Sequence, residues 1–252
     1  MDNGKKLLIT GASAGIGAEL AKLYASEGHT LYLTGRNAER LEAVAGECRA
    51  AGAIVETATF DVVDREKAEE WYNGANAGRP VDCLILNAGV MRESEDLGVF
   101  ESAADIELQI AVNLTSCLTL STFAAQKMAE NNHGHIVFIS SIAAIQPLSR
   151  AATYSASKAA LISYGEALSG HCAVHGVSVS VICPGFVDTD MAAQLKTFKP
   201  FQLTSEDAAR RIRRAITDKK PFYGFPAPLL WLARTSMSLP PFLRRPLVKM
   251  FE

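Results

Sequence analysis

Lys5-Lys-Leu-Leu-Ile-Thr-Gly-Ala-Ser-Ala-Gly-Ile-Gly17, followed by Ala18-Glu-Leu-Ala-Lys-Leu-Tyr-Ala25, is the stretch on which the reading of the fold turns. The first residues are a short apolar run, and the last eight carry their apolar residues at helical spacing. A strand, a glycine-rich turn and a helix, in that order, build an anion site. Glycines let the backbone take positive φ and approach a pyrophosphate, while the unpaired N–H groups at the helix start point at it. The glycines here are Gly11, Gly15 and Gly17, spaced Gly-x-x-x-Gly-x-Gly rather than in the commoner Gly-x-Gly-x-x-Gly pattern. A tight strand-to-helix turn without a ligand is the alternative.

The pattern repeats outward from that segment. Short apolar runs at 5–10, 30–34, 54–60, 81–86, 134–140, 177–183 and 221–225 alternate with helical patterns at about 15–28, 37–52, 64–77, 102–131, 151–175 and 204–219. Such alternation predicts an α/β fold with a parallel sheet and helices on both faces, as one domain over 1–252. Ligands of open parallel sheets sit beyond the carboxyl ends of the strands. Polar or small residues follow the runs there: Asp61-Val62, Asn87-Ala-Gly89, Ser140-Ser141 and Pro184-Gly185.

Two further features carry chemistry. Thr30-Leu-Tyr-Leu-Thr34 ends in Gly35-Arg36-Asn37, with no carboxylate between Thr30 and Ala38. A basic residue after the second strand accommodates a ribose 2′-phosphate, whereas an acidic one would bond the 2′-hydroxyl. Arg36 therefore favours NADP(H), with NAD(H) still open, and a solvated surface arginine is the simpler alternative. Tyr154 and Lys158 lie four residues apart in a helical pattern, on one face. A free phenol titrates near ~10, and a fixed ammonium beside it favours the phenolate. The pair is thus expected to bring a tyrosine toward acid–base use at neutral pH.

The chain has 252 residues, 48% of them hydrophobic, and a net charge of −2. No apolar run reaches the length of a spanning helix, so none is expected. Met1 to Lys6 lead straight into the first strand, which leaves no room for a signal peptide, and a cytoplasmic location is expected. The five cysteines have no Cys-x-x-Cys spacing and read as reduced core thiols, and the histidines read as structural, with no metal site. From Ser205 onward ten Lys/Arg face four Asp/Glu, a local net of +6 against −8 for the rest. That basic stretch suits an anionic substrate, a membrane surface or simply a solvated helix face. Nothing in the chain points to nucleic acid.

Taken together, Thr10-Gly-Ala-Ser-Ala-Gly-Ile-Gly17, Asp61, Asn87-Ala-Gly89, Asn113, Ser141, Tyr154/Lys158 and Pro184-Gly185 resemble the short-chain dehydrogenase/reductase family in its one-domain form. The resemblance covers roughly residues 5–190. It implies a Rossmann-type, doubly wound sheet of seven parallel strands in the order 3-2-1-4-5-6-7. It also implies hydride transfer between a nicotinamide cofactor and a small-molecule carbonyl or alcohol. By position, Tyr154 would be the general acid/base, Lys158 would lower its pKa and bond the nicotinamide ribose, Ser141 would hold the substrate oxygen, and Asn113 would position a relay water. Gly11, Ser13, Gly15, Ile16 and Gly17 would approach the pyrophosphate and Arg36 the 2′-phosphate. Asp61 and Val62 would address the adenine, with a helix cap as the alternative for Asp61. Asn87 and Gly89 would shape the cleft, and Pro184, Gly185, Val187 and Thr189 would grip the carboxamide. One departure stands out: many NADP-preferring relatives carry a basic residue where this chain has Ala14.

Residues 186–202 are expected to form a substrate lid and 226–252 a C-terminal extension. The extension either packs over the cleft or a subunit interface, which is favoured, or touches a membrane peripherally. A homodimer or homotetramer is expected by analogy. An NADP(H)-binding regulatory or scaffold protein with little turnover is the alternative function, although such a protein has no need of both Tyr154 and Lys158.

Overall fold

The computed structural model describes residues 4–193, 199–237 and 239–240. Its centre is a seven-stranded parallel sheet in the order β3-β2-β1-β4-β5-β6-β7, as expected. The strands are β1 (Lys6–Thr10), β2 (Thr30–Gly35), β3 (Ile54–Thr59), β4 (Cys83–Leu86), β5 (Gly134–Ile139), β6 (Val177–Pro184) and β7 (Phe222–Phe225). Consecutive side chains of β1 face opposite ways, and so do their cores. Leu7 and Ile9 pack with the buried faces of α1 (Gly15–Ala25), α2 (Ala38–Ala50) and α8 (Ser205–Thr217). Leu8 packs with α3 (Arg65–Asn76), α5 (Ser116–Glu130) and α6 (Ala152–Ala173) on the other face. Covering both faces explains why the strands read as continuous apolar runs.

Several helix ends are set by residues readable in the sequence. Asn37 caps α2 by accepting from Arg40 N–H at 2.9 Å, and Asp64 caps α3 by accepting from Lys67 N–H at 3.2 Å. The capping alternative for Asp61 therefore falls to Asp64, while Asp61 accepts from Val63 N–H at 3.2 Å. The helical pattern over 102–131 is interrupted around Asn113, where the resemblance implied a local break, and runs as α4 (Ala103–Ile110), a π-turn (Ala111–Thr115) and α5. A short 3₁₀ turn (Ile142–Ala144), α7 (Asp190–Ala193) and α9 (Ala227–Met237) complete the described elements.

Ala103–Glu130 is long and apolar enough to cross a membrane by length and composition alone, a test that a core helix also passes. In the fold, Leu120, Ala124 and Met128 are buried in the core against the sheet. All five cysteines are buried and unpaired, as expected. Among the described residues no cluster of His, Cys, Asp or Glu has the makings of a metal site.

His135 is the buried histidine of β5, with Nε2 2.8 Å from Ser180 Oγ on β6. Burial pushes its pKa down to about 4, with Lys219 and Lys5 acting in the same direction. Between pH 6.5 and about 4 the unfolded chain binds a proton that the folded chain refuses. The stabilisation is complete above that window and is lost as pH falls through it, by roughly 3 kcal/mol. Melting temperatures measured across this range should fall toward acid, and His135→Gln should flatten the slope. An unchanged slope in that variant would remove His135 as the cause.

Candidate active site

The carboxyl ends of the strands open into a cleft of about 550 Å³. Its floor is the turn after β1. Gly11 has φ +66°, and a Cβ there would stand 2.7 Å from Ala88 Cα. A Cβ on Gly17 would stand 2.3 Å from Gly11 O and 2.5 Å from Asn87 Nδ2. The turn closes only without those side chains. Asn87 fastens it to the end of β4, donating to Thr10 O at 3.1 Å and Gly11 O at 3.0 Å. Helix α1 begins at Ala14 with no side-chain cap and no carboxylate in its first turn. Its leading N–H groups therefore keep their donors, and its positive pole meets no internal anion. This is the donor set of a phosphate cradle, and it fits the pyrophosphate of a dinucleotide.

A second cluster sits further along the same edge. Tyr154 (9% exposed) and Lys158 (4% exposed) project from the first turns of α6. Ser141 stands next to Tyr154, close enough to act on its phenol, and its Oγ accepts from Ala143 N–H at 3.1 Å. Both serines line the cleft, but the Ser140 hydroxyl is committed to Lys158 O at 2.8 Å. Lys158 Nζ lies 5.8 Å from the Tyr154 ring centroid and donates to Ile139 O at 3.0 Å. Asn113 is fully buried, accepting from Val90 N–H and donating to Val90 O, each at 2.7 Å, and donating to Ser157 Oγ at 3.3 Å. It ties the π-turn to the segment after β4 and to α6. Those bonds hold its side-chain amide behind the cleft wall.

The expected lowering of the phenol pKa is not what this arrangement gives. Burial pushes Tyr154 above the ordinary phenol range, neighbouring Ser141 pulls it back, and Cys183 adds to the rise. Lys158 is itself buried and pushed below the usual lysine range, with Cys117 and Cys183 opposing. Burial thus acts on both groups, raising the phenol and lowering the lysine, and opposes the lowering expected of a neighbouring ammonium.

At the adenosine end, Arg36 Nη1 lies 3.7 Å from Asp61 Oδ2, and both residues line the cleft with Ser13, Gly35 and Val62. Arg40, one turn into α2, lines it as well, and its Nη1 donates to Asp190 Oδ2 at 3.0 Å. The cleft also has an apolar wall of Leu148, Phe186, Met191, Ala192 of α7, and Leu229, Leu232 and Ala233 of α9, while Arg92, Glu93 and Arg150 line it as well. Half-buried Gln146 lines it too, accepting from Ser236 Oγ of α9.

The family model for short chain dehydrogenases matches residues 5–200. The chain belongs to the short-chain dehydrogenase family. It is 33% identical over 226 residues to the 3-oxoacyl-[acyl-carrier-protein] reductase FabG of Rickettsia conorii, covering 88% of this chain and 85% of that protein. It is 34% identical over 197 residues to the enzyme of the same name from Aquifex aeolicus, covering 76% and 77%. An uncharacterized oxidoreductase of Myxococcus xanthus matches at 32% over 235 residues, with 92% of each chain covered. This short-chain dehydrogenase is therefore an oxidoreductase acting on alcohol or carbonyl groups with a nicotinamide dinucleotide.

Of the site residues expected from sequence in this family member, all but Gly17 and Asn113 line the cleft. Gly17 packs behind the cradle, and Asn113 behind the segment after β4. Sequence reasoning missed Arg40 and Gln146, whereas Asp190 falls in the expected lid and α9 in the extension expected to pack over the cleft or an interface. Arg40 carried a signal, its spacing of four from Arg36. Part of the expected lid (194–198) and the end of the extension (241–252), on which the membrane reading leaned, lie outside the described residues.

Proposed function

We propose that the chain is an NADP(H)-dependent dehydrogenase/reductase for apolar ketones and their secondary alcohols, with Tyr154 as its general acid/base. The observation that carries this reading is the meeting of Ser141, Tyr154 and Lys158 at the strand-end edge, in one cleft with the uncapped start of α1. When bound, the nicotinamide supplies or accepts the hydride. Gly11, Ser13, Gly15 and Ile16 would hold the pyrophosphate, Arg36 the 2′-phosphate, Asp61 and Val62 the adenine, and Pro184, Gly185, Val187 and Thr189 the carboxamide. Ser141 would donate to the substrate oxygen as negative charge develops on it, where a placed donor has its largest effect. Tyr154 would deliver the proton to that oxygen during reduction and accept it during oxidation. A phenol held above its usual range suits the proton-delivering direction at neutral pH. Lys158 would stabilise the phenolate left behind. Asn113 would serve as a positioning residue, holding Val90 and α6 in register. The buried, unpaired cysteines support a reducing, cytoplasmic setting.

The test is the loss of NADPH absorbance across a panel of ketones, aldehydes and sugar or lipid carbonyls. Turnover should be greatest with apolar ketones. NADPH binding without turnover on any member would leave the regulatory alternative standing. Helix α9 gives a sharper prediction about specificity. Leu232 is half-buried on the apolar wall. Leu232→Glu should raise KM for a long-chain ketone about ten-fold, the loss of roughly one buried leucine contact. It should leave the KM of a three- or four-carbon ketone nearly unchanged. Equal effects on both would show that α9 does not read the chain.

A further inference from the structure

The adenosine end of the cleft carries a cation that the strand-end pattern did not reveal. Arg40 stands in the first turn of α2, where positive charge opposes the helix dipole. Local helix energetics do not favour an arginine there, yet its backbone is fixed by the Asn37 cap and its side chain lines the cleft beside Arg36. Its guanidinium reaches Asp190 of α7 at 3.0 Å, linking the nucleotide side of the cleft to the element that covers the substrate side. Side chains 61% and 77% exposed form a weak pair, worth less than about five-fold in an equilibrium. A phosphate dianion beside Arg36 offers Arg40 more charge and more acceptor oxygens than one exposed carboxylate.

We propose that Arg40 is the second cation of the 2′-phosphate site and that Asp190 is the partner it leaves when that phosphate binds. The proposal rests on the NADP(H) reading above. It supplies from α2 the positive charge that the cradle lacks at Ala14. It also makes the tie between α2 and α7 depend on the nucleotide: retained with NAD(H), released with NADP(H).

The test uses the full chain and two probes, adenosine 2′,5′-bisphosphate and 5′-AMP, titrated by calorimetry, and reads the ratio of their dissociation constants. The wild-type protein should favour the bisphosphate. Arg40→Met should shrink that preference by about ten-fold, the loss of one charge-assisted contact. Asp190→Asn should enlarge it by about two- to five-fold, because Arg40 no longer has to leave a charged partner. Damage to folding cannot move the ratio in both directions. A wild-type preference that neither variant alters would overturn the proposal while leaving Arg36 as the discriminator. A fall in Arg40→Met without a rise in Asp190→Asn would remove Asp190 from it. No wild-type preference at all would sink the NADP(H) reading, and this inference with it.

Discussion

Tyr154→Phe is expected to lower kcat by about a hundred- to ten-thousand-fold, the range for a lost general acid/base, while nucleotide affinity is retained. The substitution removes one oxygen from a buried side chain beside Ser141, and the ring keeps its packing against Met91, Ala143, Ala151 and Ala192. A large fall in kcat with binding intact would mean that the hydroxyl acts in the chemical step. The pH dependence follows from the direction of its pKa. Burial holds the phenol above its usual range, so the protonated form persists through neutral pH. Reduction, which needs the proton, should stay level there and decline only toward alkali. Oxidation needs the hydroxyl to accept a proton and should rise over the same interval. Lys158→Met removes a cation 5.8 Å from the ring centroid and should push the oxidation limb to still higher pH. Loss of activity in Tyr154→Phe no greater than in an exposed control variant would end the assignment of this tyrosine as acid/base.

The contrast between what was legible and what was not follows from the range of the forces involved. Strand β1 and its turn were readable because a buried parallel strand must be apolar and a phosphate turn must be glycine-rich. Those are local constraints, and each residue advertises its own. Asp61, Asn87, Ser141 and Pro184 were readable at one remove, since strand ends converge on one edge whatever the loops do. The electrostatics were not. Spacing of four put Lys158 beside Tyr154, but it could not show that both are buried or that the ammonium is turned to Ile139 O. Desolvation depends on everything packed around a group, and so reversed the expected sign. Asn113 shows the same limit. Its position was found, while its role as a clamp on Val90 needed the partner's coordinates. Gln146 and Ser236 are ninety residues apart, and no local pattern announces that one bonds the other.

Arg36→Asp is expected to reverse nucleotide preference, with a swing of about a hundred-fold or more in the NADPH-to-NADH affinity ratio. The loss of a charge-assisted bond to a phosphate accounts for about ten-fold or more. A carboxylate in its place repels the same phosphate and can accept from a ribose hydroxyl, adding to the swing from the other side. The surroundings make the change informative. Arg36 now lies 3.7 Å from Asp61 Oδ2, so the variant would set two carboxylates where an ion pair stood. Some of the lost NADPH affinity would then come from the altered Asp61 environment rather than from the missing cation. Arg36→Met separates the two, since it removes the charge without adding another. If Arg36 discriminates by charge, the methionine variant should lose NADPH affinity and keep its NADH affinity, and the aspartate variant should go further by gaining NADH affinity. Equal losses for both nucleotides in both variants would make Arg36 a structural partner of Asp61, and the choice between nucleotides would then have to be made elsewhere along the cleft.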